Sequence, residues 1–189
     1  DASVKFSVLK VRNLSGRPRR LSATGYVEWV LGDLRPKSAM HVATEVDPYS
    51  GALYARNPYN TEFPDRVAFF DVDDVGDAGR TITCDRAEFI GRNGSLENPA
   101  AMARTHLSGR LGTGLDPCAA IQVGFDLADG QERQITFRLG LAGGDTNPDA
   151  NTLVHRFRGA DAARRALEAV WLYWNHTLGA VQVETPDES

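Results

Sequence analysis

No run of apolar residues in this chain approaches the ~20 that a transmembrane helix needs, so nothing in it reads as a membrane-spanning helix. No stretch has the form of a secretory signal; Val4, Phe6 and Val8 already alternate at the start, as expected of a piece cut from a larger protein. An excess of basic charge is missing too. Lys and Arg number 21 against 25 Asp and Glu, a net charge of -4, which argues against nucleic acid as a partner. The one dense basic cluster, Arg17, Arg19 and Arg20 around Pro18, reads as a solvated turn. Cysteine is scarce: Cys84 and Cys118 make neither a disulfide framework nor a metal spacing, and with nothing to mark an oxidising compartment they read as reduced core thiols. His41, His106, His155 and His176 are scattered, without His-x-His or His-Glu-x-x-His spacing. There is no Walker loop and no nucleophile elbow, and the glycines at 109, 112 and 114 do not follow the dinucleotide order. Asp71, Asp73 and Gly76 match three positions of a calcium loop. The position that needs a bidentate glutamate is Ile82, so this stretch reads as an acidic surface turn. No catalytic residue, cofactor or metal is therefore expected.

What is present is a β-pattern with a helical end. At 189 residues, with 42% hydrophobic and 24% charged, the chain can bury one core as one globular domain. Residues 4–11 alternate, 21–31 form a longer strand with Tyr26 and Glu28 on one face and Val27 and Trp29 on the other, and 67–72 place Phe69 and Phe70 on opposite faces. Residues 41–46 and 52–56 flank Asp47, Pro48 and Gly51, which is hairpin chemistry. Further strands are expected at 80–84, 107–111, 119–127 and 134–141, with Asp129 and Gly130 as a tight turn. Short strands at near-regular spacing predict a β-sandwich. From 161 to 178, Ala163, Leu167, Val170, Trp171, Trp174 and Leu178 fall at helical spacing, and Arg164 and Glu168 form an i,i+4 pair. Residues 169–174 are apolar nearly all round, as expected of a helix clasped between two bodies.

Residues 88–102 fit neither period. Glycine, asparagine and proline crowd between apolar anchors at Phe89, Ile90, Leu96 and Met102, which predicts a shaped loop and then a helical turn at 98–104 with Asn98 as cap and Pro99 in the first position. Two stretches carry sugar-binding chemistry in principle. Arg56, Asn57 and Tyr59 combine an aromatic face with amide and guanidinium donors, and Arg92, Asn93 and Ser95 place donors beside glycines. Each is also compatible with an ordinary turn.

The run from Asp85 through Glu88, Phe89, Ile90, Gly91, Arg92, Asn93, Gly94, Ser95, Leu96, Glu97, Asn98 and Pro99 to Met102 resembles the central motif in the N-terminal β-domain of the inverting disaccharide phosphorylases. Among cellobiose phosphorylases, chitobiose phosphorylases and cyclic β-1,2-glucan synthases, it is most similar to the last group. The flanks agree: Arg17 to Leu21, Tyr26 to Gly32, Ala55 to Asn60, Leu115 to Val123, and Phe137 to Gly140. The resemblance implies an all-β supersandwich similar to galactose mutarotase, incomplete at its N-terminus, over 1–158, and a linker helix with the start of a connection over 159–189. It implies a following (α/α) barrel that holds the catalytic acid and phosphate site, of which no motif occurs here. The implied role is that of a non-catalytic accessory or carbohydrate-binding-like domain of a glycosyltransferase or glycoside phosphorylase. A stand-alone glucan-binding module and a spacer or dimerisation domain are the alternatives. The implied partners are β-glucan, the catalytic barrel and a second copy as homodimer. The implied place is the cytoplasmic side of a bacterial inner membrane, within a larger membrane protein.

Overall fold

The computed structural model describes residues 2–73, 79–143 and 149–180. In chain order its elements are β1 (Ser3–Arg12), β2 (Arg19–Glu28), α1 (Arg35–Ser38), β3 (Ala43–Val46), β4 (Leu53–Arg56), β5 (Val67–Val72), β6 (Arg80–Asp85), α2 (Arg86–Ile90), β7 (Pro117–Leu127), β8 (Glu132–Ala142), α3 (Ala150–Arg156) and α4 (Ala162–Leu178). The strands form two antiparallel sheets, a five-stranded one in the order β1-β8-β5-β4-β3 and a three-stranded one in the order β2-β7-β6. The fold is an all-β supersandwich followed by a C-terminal helix.

The alternation of side chains along each strand decides what lies between the sheets. Ala119, Ile121, Val123 and Phe125 of β7 meet Leu53, Ala55, Phe70, Val72, Ile135 and Phe137 of the larger sheet in the main core. Phe70 and Phe137 lie nearly parallel, with centroids 5.9 Å apart. Phe69 points the other way, into a second cluster under α3 with Tyr54, Leu153 and Val154. The outer face of the three-stranded sheet is covered over part of its length by a third cluster, in which Phe89, Ile90, Ala101 and Leu107 pack on Ala120 and Tyr26. The order of layers is α3, large sheet, small sheet, and the 86–107 segment.

Several expectations hold. The hairpin pairs Ala43–Val46 with Leu53–Arg56, the Asp129–Gly130 turn closes as Gln131 N–H donates to Ala128 O, and Arg164 donates to Glu168 at 2.8 Å on α4. Cys84 and Cys118 are buried free thiols, and burial pushes the Cys84 thiol up to about 11.

Others need correction. Residues 107–111 are not a strand. Gly109 N–H donates to Ile82 O and Arg110 O accepts from Cys84 N–H, so the segment runs beside β6. Gly109, at φ +74, turns it out of extended geometry before a ladder can form. The turn at 98–104 is a 3-10 turn over Ala100–Ala103, with Pro99 in the cap position and no side-chain cap bond. Two short helices escape the period test because they are brief. Asp85 caps α2 by accepting from Ala87 and Glu88 N–H, and Asp149 caps α3 by accepting from Thr152 N–H.

The acidic stretch is also misread by a surface turn, at least at its start. Asp71 is fully enclosed. It accepts from Arg138, from Arg80 at 2.9 Å and from Arg158 at 2.7 Å. Arg138 is equally enclosed and also donates to Asp73 and Phe157 O, each at 2.8 Å. Three guanidinium groups hold these carboxylates. The remainder of that stretch, 74–77, lies outside the described residues, as does the tail 181–189. Among the described residues no group of histidines, cysteines or carboxylates is placed to hold a metal, and no helix is long and apolar enough to cross a membrane.

Candidate functional site

The 88–102 stretch is built on the end of the small sheet. β6 delivers Asp85, whose side chain starts α2 and whose second oxygen accepts from Arg110 at 2.6 Å. α2 is only five residues long, so tertiary contacts must hold it. Phe89 stacks on Tyr26, with ring centroids 4.7 Å apart and 17° between planes. Glu88 accepts from Thr83, Ser108 and Arg104. Burial alone would raise the Glu88 carboxyl, but these three donors outweigh it and hold it below the ordinary glutamate range. Gly91 then turns the chain at φ +85, where a Cβ would stand 2.6 Å from that of Ala100; a side chain is excluded by both conformation and space.

Beneath the loop, four charged side chains from separate parts of the sequence close into a ring. Arg86 donates to Glu28 at 2.7 Å and lies 3.4 Å from Asp116. Arg35 pairs with Glu28 at 3.1 Å and also with Asp116. Tyr26 adds a hydroxyl bond to Glu28 at 2.8 Å. Burial raises Glu28, but the Arg86 and Tyr26 bonds and the Arg35 charge more than reverse it, so Glu28 is held low. Burial and the bond to Glu28 lift the Tyr26 hydroxyl far above its ordinary range, so it stays a neutral donor. Two guanidinium groups alternate with two carboxylates, a charge-balanced arrangement that fixes each member.

A cleft of about 830 Å³ opens over this ring, lined by Arg86, Asp116, Arg92, Gly94, Ser95 and Leu96 among others. Its wall offers guanidinium and carboxylate groups with locked positions, a hydroxyl, and backbone freed by glycine. Of the residues read from sequence as site candidates, Arg92 and Ser95 line this cleft. Asn93 shapes the loop through its left-handed backbone at φ 60. The other group sits elsewhere. Asn57 lines a separate cavity of about 420 Å³ with Asn60, Phe63 and Arg66. Its amide is committed, donating to Leu31 O at 2.7 Å and accepting from Tyr59 N–H at 3.1 Å. Arg56 is paired with Glu45. Tyr59 is 73% exposed and faces His41 at 4.7 Å. The two groups do not share a cavity.

A scan against protein-family models matches residues 1–160 to the description "Glycosyl hydrolase 94, supersandwich domain". The chain belongs to the glycosyl hydrolase 94 supersandwich family. Relatives include the cyclic β-(1,2)-glucan synthase NdvB of Rhizobium meliloti, 41% identical over 98% of this chain. Cellobionic acid phosphorylase of Neurospora crassa is 28% identical over 95% of it, and N,N'-diacetylchitobiose phosphorylase of Vibrio furnissii 25% over 95%. The chain spans 6% of the length of the synthase and 22% of each phosphorylase.

In this supersandwich domain, the segments that carry the family resemblance meet in space. Tyr26 and Glu28, Arg86, and Asp116 lie in three separate motifs and bond to one another. Sequence reading singled out the loop donors and passed over Glu28, Arg35, Arg86 and Asp116. Arg86 next to a capping Asp85, and Asp116 before Pro117, are ordinary dipeptides; only the fold shows that they touch.

Proposed function

We propose that this supersandwich domain is a non-catalytic accessory part of a glycoside phosphorylase or cyclic β-1,2-glucan-synthase-type enzyme. Its cleft under the 91–97 loop contributes to holding glucan. The observation that carries this is the cleft itself: a locked Arg86–Asp116 pair, the Arg92 guanidinium and the Ser95 hydroxyl around about 830 Å³. Planar guanidinium and carboxylate groups with fixed positions match vicinal hydroxyls, which donate and accept together. Every carboxylate with a displaced pKa among the described residues is displaced downward, which suits binding and structure rather than proton donation near neutrality. On this reading the bond-breaking acid and the phosphate site belong to the barrel of the parent enzyme, and the parent faces the cytoplasm at the inner membrane.

The aromatic face of α4 favours a second contribution. Trp171 is 63% exposed and Leu172 71%, beside Val170 and Trp174. Large apolar patches of this kind mark contact surfaces. Here α4 seats the catalytic barrel, and in the isolated domain it pairs with a second copy.

Titration calorimetry with a linear β-1,2-gluco-oligosaccharide tests the cleft. Saturable binding is expected, weakened about three- to tenfold by Arg92→Ala or Ser95→Ala, the loss of one hydrogen-bonding side chain. No heat at millimolar sugar overturns the binding role. Phosphate released or consumed by this chain with β-glucan overturns the non-catalytic one.

A further inference from the structure

The cover over the small sheet stops short of its end, and what it leaves open is not an ordinary solvated strand face. The register of the three strands places Thr24 of β2 opposite Gln122 of β7, and Gln122 opposite Thr81 of β6. Directly opposed residues share a face. Because Ile121 and Val123 point into the core, this polar row lies on the outer face. One step further, Ser22 lies opposite Gly124, which brings no side chain and leaves a hollow. A groove of about 500 Å³ lies here, with Gln122, Thr81, Ser22 and Gly124 as floor and His106 and Arg20 among its rim.

The floor is under-satisfied. Gln122 is only 4% exposed, yet its side chain's one hydrogen bond among the described residues is a long acceptance from Thr81 at 3.4 Å. Its amide nitrogen has no protein partner there and is not shut from solvent, so it is open to the groove. The Thr24 hydroxyl in the same row is also unpartnered among the described residues, but it is shut from solvent and does not line the groove, so it takes no part in binding. A donor at the groove surface with no partner in the chain gains from a ligand that supplies an acceptor to it, and the neighbouring Ser22 hydroxyl can serve such a ligand as donor or acceptor. The charge pattern narrows the class. The floor carries only neutral hydroxyl and amide groups, and one cation on the wall, Arg104, is already bound to Glu88. A neutral polyhydroxyl chain meets these terms, because each of its hydroxyls both donates and accepts.

We propose that the open half of the small sheet's outer face is a second binding site, for a neutral oligosaccharide, separate from the 91–97 cleft. It rests on the reading that the domain handles glucan. A chain reaching both places would be held on the two sides of the 86–107 cover.

The test is side-chain amide NMR of the 189-residue chain during titration with linear β-1,2-gluco-oligosaccharide, with inorganic phosphate as a parallel probe. The Gln122 side-chain amide signals are expected to shift saturably with sugar and not with phosphate. Gln122→Met keeps the size and removes the amide without adding charge. Ser22→Ile, at an exposed strand position that suits a β-branched residue, fills the groove without disturbing the core. Each is expected to raise the dissociation constant read at this site about three- to tenfold, the worth of one neutral hydrogen bond, with backbone spectra otherwise unchanged. Sugar binding that is weakened by Arg92→Ala but leaves the Gln122 signals and both groove variants unaffected overturns this site and spares the cleft. A response to phosphate alone overturns the sugar assignment in favour of an anion site at Arg20 and His106. No sugar response anywhere overturns both.

Discussion

Asp71 and Arg138 are both completely enclosed, and each makes the other tolerable. A lone buried charge costs several kcal/mol, and the pair is supported by further hydrogen bonds with Arg80, Arg158, Asp73 and the Phe157 carbonyl. Asp71→Asn leaves Arg138 without its main counter-charge. Urea unfolding is expected to show a loss of about 3–5 kcal/mol. Burial would raise the Asp71 carboxyl, but the charges of Arg138 and Arg158 and the bonds from Arg158 and Arg80 outweigh it, so the folded value lies below the usual one. A depressed carboxyl contributes stability that is whole above the unfolded value of ~3.9 and is lost as pH falls through the folded value. The stability gap between the native chain and Asp71→Asn is therefore expected to be constant near neutrality and to close in acid below about pH 4. A gap that does not change with pH would show that the two differ for another reason.

At the scale of elements, the cover on the small sheet depends on its first hinge. α2 is too short to persist alone, and Asp85 starts it while also receiving Arg110. Asp85→Ala is expected to cost about 1–2 kcal/mol, the worth of an N-cap at the upper end of its range because an ion pair goes with it. Hydrogen exchange is the measurement: faster exchange confined to 86–107 is the expected outcome, and uniform acceleration across both sheets would place the loss in the core. Long elements are legible in the sequence for a plain reason. β7 and β8 extend over 11 residues each and α4 over 17, enough for the period to declare itself. α2 and α3 are too brief for that, and a capping aspartate is their only local signal, while the 3-10 turn at Ala100–Ala103 is marked by Pro99 in its cap position. At 107–111 the apolar ends suggest a strand, and the glycine at 109 decides against it.

For the whole molecule, the sandwich is closed while one helix is not. Among the described residues the core fills the space between the sheets and under α3, whereas the α4 face around Trp171 and Trp174 stands in solvent. Self-association driven by that face is expected in sedimentation velocity at high protein concentration. Trp171→Glu, a change at an exposed helical position, is expected to return the chain to monomer with its unfolding transition unchanged. A wild-type chain that sediments as a monomer throughout would remove the proposed pairing.

The sequence by itself determined the kind of molecule: a β-sandwich from its alternation, a terminal helix from its spacing, and the family from the 85–102 motif with its flanks, in line with the supersandwich match over residues 1–160. Those are local properties, written residue after residue. The tertiary structure alone decided which side chains meet. It placed Arg92 and Ser95 in one cleft and Asn57 in another cavity, joined Glu28, Arg35, Arg86 and Asp116 into one ring, and buried Asp71 where an acidic turn reads as surface. Contacts across dozens of residues depend on strand order and register, and neither is a property of any short stretch of chain.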